Sequence, residues 1–304
     1  LGDNAKQQLR ELIRQNYNHP SVIVWGLSNE LHQMTDEIFG LYSELYEIAC
    51  KEDDTRLKTF ADNQFYGRFL ELPADVVGYN RYFGWYKDAG SAENFGEWLD
   101  LYHNEKEKRP VCLSEYGGGG AISQHKDNVD WESDIDPVGV RHYENYQSQL
   151  HEILWKQFSV RKYLWAEFIW CMFDFASYGR TEGDTKSLND KGLCTRERIP
   201  KDVYFFYRSV WSSEKTVYIT ERRHEFRACD VPFVKVYSNA DAVELCINDV
   251  SYGRISRCEL SDDENTVFVW KNIKIIPDTK NKICAKAYFS DGTSRTDYAF
   301  WTGK

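Results

Sequence analysis

Three features are absent from this chain of 304 residues: a basic block, a long uninterrupted apolar segment, and a closely spaced pair of cysteines. Because 48 Asp and Glu outnumber 38 Lys and Arg, the net charge is −10, which argues against nucleic acid or an anionic membrane surface as a partner. The apolar stretch at 163–176 is interrupted by Glu167 and Asp174 and is too short to span a bilayer. These absences indicate a globular chain without a nucleic-acid or membrane partner.

The cysteines and histidines give no sign of a disulfide framework or a metal site. The eight cysteines show no Cys-x-x-Cys spacing, two of them lie in predicted buried strands, and all are expected to be reduced and structural. The histidines have no metal-ligand spacing, so neither a metal nor a cofactor is expected. No signal peptide opens the chain, and because Leu1 is not a natural start we expect it to begin inside a larger protein, whose compartment stays open.

Two glutamates each close an apolar run that is typical of a buried strand. Glu30 ends the run at 21–30, and Glu115 ends the run that begins at residue 109. A carboxylate at the carboxyl end of a strand without polar alternation faces the space above the sheet, where α/β barrels carry their chemistry. Glycoside hydrolysis needs this pair, since one carboxyl protonates the leaving oxygen and the other attacks the anomeric carbon. The pair therefore predicts an acid and a nucleophile.

Strand and helix patterns alternate through the first two thirds of the chain. Asp3 is predicted to cap the first helix and Thr35 the second, each at the start of an apolar stripe. Five strands are predicted, each paired with a helix, whereas a closed (β/α)8 barrel needs eight. We therefore expect a partial TIM barrel over residues 1–212. The predicted strands are 21–30, 57–63, 75–82, 111–115 and 163–173, and the predicted helices lie at 3–17, 38–48, 92–106, 143–158 and 200–211.

Beyond residue 211 the pattern changes to short alternating strands separated by turn signals. Asn248-Asp249 and Asp291-Gly292 are typical of hairpins and tight turns. Five or more strands at this spacing predict an immunoglobulin-like β-sandwich over residues 213–304. The fold class is therefore α/β plus all-β. The predicted strands of this part are 217–220, 233–237, 243–247, 266–270 and 283–289.

Several short motifs follow one another along about two thirds of the chain. They are Asn18-His19-Pro20-Ser21-Val22, Asn29-Glu30, 78–86, Ser114-Glu115-Tyr116-Gly117, 170–175 and 189–193. Together they resemble glycoside hydrolase family 2, the family of β-galactosidases, β-glucuronidases and β-mannosidases. The resemblance implies that the acid/base glutamate follows the fourth barrel strand and the nucleophile the seventh, so the strands here are four to eight. It also implies that a β-sandwich follows the barrel.

The same resemblance implies roles for residues around the two glutamates. Asn29 would hydrogen-bond the sugar 2-hydroxyl, a contact that strengthens in the transition state. Tyr82 would hydrogen-bond the nucleophile and keep it ionised, and Trp170 would form the floor on which a sugar ring stacks. Asn80, on the same predicted strand as Tyr82, is a candidate for a further polar contact. For Tyr82 and Trp170 the alternative is ordinary packing in the core.

Three further residues bear on the substrate. Asn189 and Lys191 resemble the Asn-x-Lys pair that recognises the carboxylate in β-glucuronidases, and a lysine ammonium suits a uronate. The surrounding Asn-Asp-Lys-Gly-Leu sequence is also similar to bacterial β-galactosidases, as are Gln124-His125 and 182–184. His125 is therefore another candidate for substrate binding. Cys171 stands where the Asn or Asp of the family pattern is expected, which puts a minor polar contact in doubt.

The main prediction from the sequence is a retaining exo-β-galactosidase with Glu30 as acid/base and Glu115 as nucleophile. A β-glucuronidase of the same family is the alternative. The alternative from a different functional class is a catalytically silent fragment, whose sandwich would serve as a scaffold or as a carbohydrate-contacting module. Because five strands leave two open sheet edges, self-association through those edges is also expected.

Overall fold

The structure is a computed structural model that describes residues 2–64, 67–261 and 265–304. The described helices are α1 (Gly2–Asn16), α2 (Asp36–Glu52), α3 (Phe95–Glu105), α4 (Trp131–Asp134), α5 (Glu144–Phe158) and α6 (Asp202–Trp211). The described strands are β1 (Val24–Asn29), β2 (Leu57–Asp62), β3 (Val77–Asn80), β4 (Val111–Tyr116), β5 (Leu164–Ile169), β6 (Phe175–Ala176), β7 (Leu188–Asn189), β8 (Val217–Ile219), β9 (Phe226–Arg227), β10 (Asp230–Ser238), β11 (Ala242–Ile247), β12 (Val250–Ser256), β13 (Val267–Lys274), β14 (Lys280–Tyr288) and β15 (Ser294–Gly303).

The chain divides into two compact units, and each is described by itself. The first unit consists of Leu1–Phe83, Asp88–Tyr116 and Val160–Trp170. The second consists of Gly84–Lys87, Gly117–Ser159 and Cys171–Lys304. The predicted domain boundary between residues 212 and 213 stays a prediction.

The first unit contains a parallel five-stranded sheet in the order β1-β2-β3-β4-β5. Spatial order that follows chain order, with every pair parallel, is the arrangement of a (β/α)8 barrel, and five strands make it a partial one. The sheet therefore confirms the predicted fold class. Behind β1, the Trp25 side chain packs in an apolar cluster with α1 and α2. The cluster comprises Leu9, Ile13, Trp25, Ile48 and Ala49, and burying such side chains contributes about 1.5–3 kcal/mol each.

Several predicted element ends differ from the structure. α1 is already helical at Gly2, so Asp3 lies in the first turn rather than at the cap, where its charge still favours the helix dipole. Thr35 does cap α2, because its side chain accepts a hydrogen bond from the Ile38 amide at 3.2 Å. The strands predicted at 75–82 and 163–173 are shortened to β3 and β5, since the chain leaves the sheet at its carboxyl edge.

The second unit contains a β-sandwich. One sheet has the order β13-β10-β8, and the other has the order β12-β11-β14-β15-β9. The facing side chains form one core that includes Val236, Leu245, Ile283 and Trp301. The Asn248-Asp249 turn joins β11 to β12 with φ values of +49° and +66°, as the hairpin signal predicts. β9 has only two residues, and β12 and β15 carry weaker alternation, so these three strands are not predicted from the sequence.

Two remaining expectations concern cysteines and membrane spans. All eight cysteines are unpaired. Within the described ranges, no helix has the length and apolar character that crossing a membrane requires.

Candidate active site

The carboxyl edge of the parallel sheet in the first unit carries most of the predicted site residues. Asn29 ends β1, Asn80 ends β3, and Glu115 lies one residue before the end of β4. Glu30 directly follows β1, and Trp170 directly follows β5, where its amide donates to the Tyr116 carbonyl at 3.1 Å. The predicted site residues of this unit therefore lie along one edge, as parallel strands require.

Asn80 links the two glutamate-bearing strands. Its Nδ2 donates to Glu30 Oε1 at 2.9 Å and to Asn29 Oδ1 at 3.0 Å. Its Oδ1 accepts a hydrogen bond from Ser114 Oγ at 2.7 Å. Because the Asn80 side chain is 2% exposed and uses both amide donors and its acceptor, it holds the ends of β1, β3 and β4 in one hydrogen-bonded group.

Glu30 adopts a backbone conformation that is uncommon for a side chain of its size. Its φ is +47°, in the left-handed region, and its amide donates to the Ala61 carbonyl at 2.9 Å. The strand register shifts by one residue just before it, between Gly26 and Asn29. Strained backbone and register shifts are concentrated at functional sites, where they redirect side chains. This conformation turns Glu30 out of β1.

A second register shift precedes Glu115. Tyr79 pairs with Leu113, and the next residue, Asn80, pairs with Glu115, so Ser114 is the extra residue on β4. The Tyr82 hydroxyl donates to Glu115 Oε2 at 2.5 Å. A hydrogen bond this short is typical of a hydroxyl that donates to a charged carboxylate. The contact predicted between Tyr82 and the nucleophile candidate is therefore formed.

Asp62, the last residue of β2, belongs to no motif in the sequence but adds a third carboxyl to this edge. Its Oδ1 accepts a hydrogen bond from the Asn63 amide at 2.8 Å, whereas Oδ2 is buried and has no partner among the described residues. Burial raises the pKa of Asp62 to about 7, and the charge of Glu30 adds to the increase while backbone hydrogen bonds from Gln64 and Asn63 oppose it. The only signal in the sequence that points to Asp62 as a site residue is its position at the end of a predicted strand.

Asn189 and Lys191 lie in the second unit and are both buried. Asn189 Oδ1 accepts a hydrogen bond from the Lys191 amide at 3.1 Å, which fixes the backbone of the pair. The Lys191 ammonium lies 5.7 Å from the Trp85 ring centroid and 5.3 Å from the Tyr86 ring centroid. Aromatic faces at this distance stabilise a cation that has been removed from water.

The backbone next to this pair is held by a buried ion pair that the motifs do not reveal. Lys201 Nζ donates to Asp174 Oδ1 at 2.8 Å and to the Asp190 carbonyl at 2.8 Å. Burial raises the pKa of Asp174 to about 6, although the Lys201 charge opposes the increase. The Asp190 side chain also contacts His142, because Asp190 Oδ2 lies 2.7 Å from His142 Nδ1.

His125 also lies in the second unit, in a buried cluster. Its Nε2 lies 2.8 Å from Glu144 Oε2, and its ring stacks on His224 with centroids 5.6 Å apart. The structure therefore places His125 in an internal contact with Glu144, and its role in substrate binding stays a prediction.

The glycine run at 117–120 does not provide the open space that its composition suggests. A Cβ on Gly118 would lie 2.7 Å from the Trp85 ring, and one on Gly119 would lie 2.4 Å from Asp190 Oδ1. One on Gly120 would meet the Gln147 side chain at 2.5 Å. Glycine at these three positions therefore allows the neighbouring side chains to pack against the backbone.

One cluster in the second unit has the composition of a cation site. Asp127, Glu221 and His224 each place a possible ligand atom within 4.8 Å of the others. However, the buried guanidinium of Arg227 contacts Asp127 Oδ1 and lies 2.9 Å from Glu221 Oε2. One permanent cation thus pairs with both carboxylates, so the cluster is an ion-pair network.

Comparisons with known proteins identify the family of the chain. The sequence profile of the glycosyl hydrolases family 2 TIM barrel domain matches residues 3–216, and that of the domain of unknown function DUF4982 matches residues 231–295. A β-glucuronidase from Bacteroides fragilis is 38% identical over 275 residues, which is 90% of this chain and 38% of that protein.

Two solved structures are similar over the whole chain. The FMN-binding β-glucuronidase from Facaelibacterium prausnitzii L2-6 is 33% identical with a TM-score of 0.87, covering 100% of this chain and 44% of that one. A protein from Bacteroides fragilis, provisionally described as a β-galactosidase, is 31% identical with a TM-score of 0.89 and the same coverages. This chain thus spans less than half the length of these relatives. The match over most of its residues shows that the chain belongs to glycosyl hydrolase family 2.

Proposed function

We propose that this chain supplies the acid/base and the nucleophile of a retaining exo-β-glucuronidase. The observation that carries the proposal is the hydrogen-bonded group of Glu30, Asn80 and Ser114 on the strand edge that also bears Glu115 with Tyr82. For the substrate, relatives named β-glucuronidases support the alternative prediction better than the main prediction of a β-galactosidase. The structural relative described as a β-galactosidase keeps that substrate as the second candidate.

In the first step, the Glu30 carboxyl gives its proton to the glycosidic oxygen while a Glu115 oxygen attacks the anomeric carbon. The bond between the anomeric carbon and the leaving oxygen breaks, and a covalent glycosyl-enzyme forms. In the second step Glu30, now ionised, takes a proton from water as the water oxygen attacks the anomeric carbon and Glu115 departs. A retaining mechanism of this kind needs the two carboxyls about 5 Å apart.

The neighbouring residues prepare both glutamates for these roles. Tyr82 stabilises the ionised form of Glu115 by donating to Oε2, which favours the carboxylate before attack and after departure. Asn80 fixes the orientation of Glu30 through Oε1 and holds Asn29 beside it. By resemblance to the family, Asn29 then hydrogen-bonds the sugar 2-hydroxyl and Trp170 stacks on the sugar ring.

Recognition of a glucuronate would use the Lys191 ammonium. The Asn189-x-Lys191 resemblance to the carboxylate-recognition pair of β-glucuronidases supports this assignment. A buried lysine flanked by aromatic faces is also chemically suited to one carboxylate in a site that excludes water.

The test separates the roles of the two glutamates, in a protein that carries this chain together with the remaining barrel strands. Glu115→Gln should abolish turnover of every glucuronide. Glu30→Ala should spare aryl glucuronides with a good leaving group, because only proton donation is lost in the first step. Glu97→Gln on α3, at an exposed position, is the matched control and should behave like the wild type. Equal losses for Glu30→Ala on activated and unactivated substrates would contradict the assignment.

A further inference from the structure

The outer face of the five-stranded sandwich sheet carries an exposed row of aromatic side chains. Tyr298 and Phe300 lie two residues apart on β15, and Phe226 on β9 is paired with Thr302 of β15. Side chains two residues apart on a strand share a face and are about 7 Å apart. The three rings thus follow the direction of β15, and this set of three is called the aromatic row.

The three side chains of the aromatic row are all exposed, and they are adjacent on one face of the sheet. Tyr298 is 49% exposed, Phe300 44% and Phe226 52%, whereas Ala299 and Trp301 on the opposite face of β15 are in the sandwich core. Single exposed apolar residues are normal, but contiguous exposed patches mark interaction sites.

Each ring of the aromatic row has a lysine ammonium over one of its faces, which leaves the other face for a ligand. The ammonium of Lys304 lies 4.7 Å from the Phe226 centroid, that of Lys280 lies 4.8 Å from Phe300, and that of Lys282 lies 5.5 Å from Tyr298. Lys282 Nζ also pairs with Asp249 at 2.9 Å. Within the described part of the chain, no ion pair engages Lys280 or Lys304. The face therefore holds excess positive charge on a chain whose net charge is −10.

We infer that this face binds an acidic polysaccharide, with uronate residues seated on the aromatic row. A pyranose ring presents an apolar face that can stack on an aromatic ring, and a uronate carboxylate beside it can pair with the neighbouring lysine. An extended row suits a polymer rather than a compact ligand. A protein partner fits less well, because lysine is depleted from protein interfaces.

The choice of a uronate polymer rests on the proposed β-glucuronidase function, whose substrate carries the same carboxylated sugar. Binding at the face would retain the polymer independently of hydrolysis.

The test is affinity electrophoresis of the full chain through gels that contain polygalacturonate, a neutral cellulose ether, or poly-glutamate. We expect retardation by polygalacturonate, little by poly-glutamate, and none by the neutral polymer. The double variant Tyr298→Ala/Phe300→Ala should weaken binding about tenfold, equivalent to roughly 1.4 kcal/mol. Tyr252→Ala on β12, the opposite edge strand, is the matched aromatic control and should bind like the wild type. Thermal unfolding checks that each variant is folded.

Three outcomes would overturn the inference: no retardation by polygalacturonate, equal retardation by poly-glutamate, or unchanged binding in the double variant. Loss of self-association in the double variant without any polysaccharide binding would instead assign the face to a second copy of the chain. Failure of the proposed function is distinguishable, because hydrolysis of aryl glucuronides is measured separately and polygalacturonate binding needs no turnover.

Discussion

The Tyr82 hydroxyl lies 2.5 Å from Glu115 Oε2, which joins the loop after β3 to the end of β4. This contact depends on the register shift at Ser114, because the extra residue determines which side of the sheet Glu115 faces. The nucleophile candidate is therefore oriented by backbone pairing and stabilised by one phenol.

Removing that phenol should slow catalysis without unfolding the chain. Tyr82→Phe is expected to lower kcat on aryl glucuronides by on the order of 10²-fold, because the carboxylate loses a preorganised donor. Tyr46→Phe removes a comparable hydrogen bond, from Tyr46 to Asp75 Oδ1 at 2.9 Å, and serves as the control with unchanged kcat. Steady-state kinetics with matched circular dichroism spectra would check both, and a wild-type kcat for Tyr82→Phe would contradict the assigned role.

Lys191 should decide which sugar is accepted. Lys191→Gln is expected to reduce kcat/KM on an aryl β-glucuronide by about 10²-fold, because a buried carboxylate would lose its charged partner. An aryl β-galactoside has no carboxylate and should be turned over at the same low rate by both proteins. Lys186→Gln, at an exposed position just before β7, is the control. A β-galactoside as the better wild-type substrate would restore the galactosidase prediction.

Asp62 should make the stability of the chain depend on pH. Its pKa is about 7 in the folded state and about 3.9 in the unfolded state, so folding binds a proton between these values. The free energy of unfolding should therefore fall as pH rises from 4 to 7 and level off above that. Asp62→Asn removes this dependence. The free energy of unfolding of this variant, relative to that of the wild type, should therefore increase by at most about 2–3 kcal/mol from pH 5 to pH 8.

Urea denaturation at both pH values measures this difference for Asp62→Asn. Asp54→Asn changes the same residue type at an exposed position and should show no pH-dependent gain. An identical difference for the two variants would mean that Asp62 titrates normally.

The chain on its own is expected to self-associate and to hydrolyse glucuronides poorly. β1 and β5 each have only one neighbour in the parallel sheet, and unpaired strand edges invite pairing with another chain. Losing positioning groups can also reduce rates by orders of magnitude while both carboxylates remain. Analytical ultracentrifugation over a concentration series, with an aryl glucuronide assay, checks both statements. A monodisperse monomer with a normal enzyme rate would show that five strands are sufficient.

Local sequence pattern was sufficient for the five strands of the parallel sheet and for the position of the two glutamates along the chain. The apolar runs before Glu30 and Glu115 predict strands because buried parallel strands have no polar alternation. Thr35 and the Asn248-Asp249 turn were predictable because caps and two-residue turns depend only on near neighbours along the chain. The sequence by itself thus determined the order of the elements and which residues stand at the strand ends.

Only the tertiary structure decided what those residues contact. Asn80 meets Glu30 across 50 positions of sequence, and Ser114 reaches Asn80 across 34, and no local pattern encodes such distances. The raised pKa of Asp62 depends on burial by distant segments, and so does the contact of His125 Nε2 with Glu144 Oε2. Hydrogen bonding and desolvation act between groups that folding brings together. The sequence therefore determined which residue types are present, and the fold determined their hydrogen-bond partners and their pKa values.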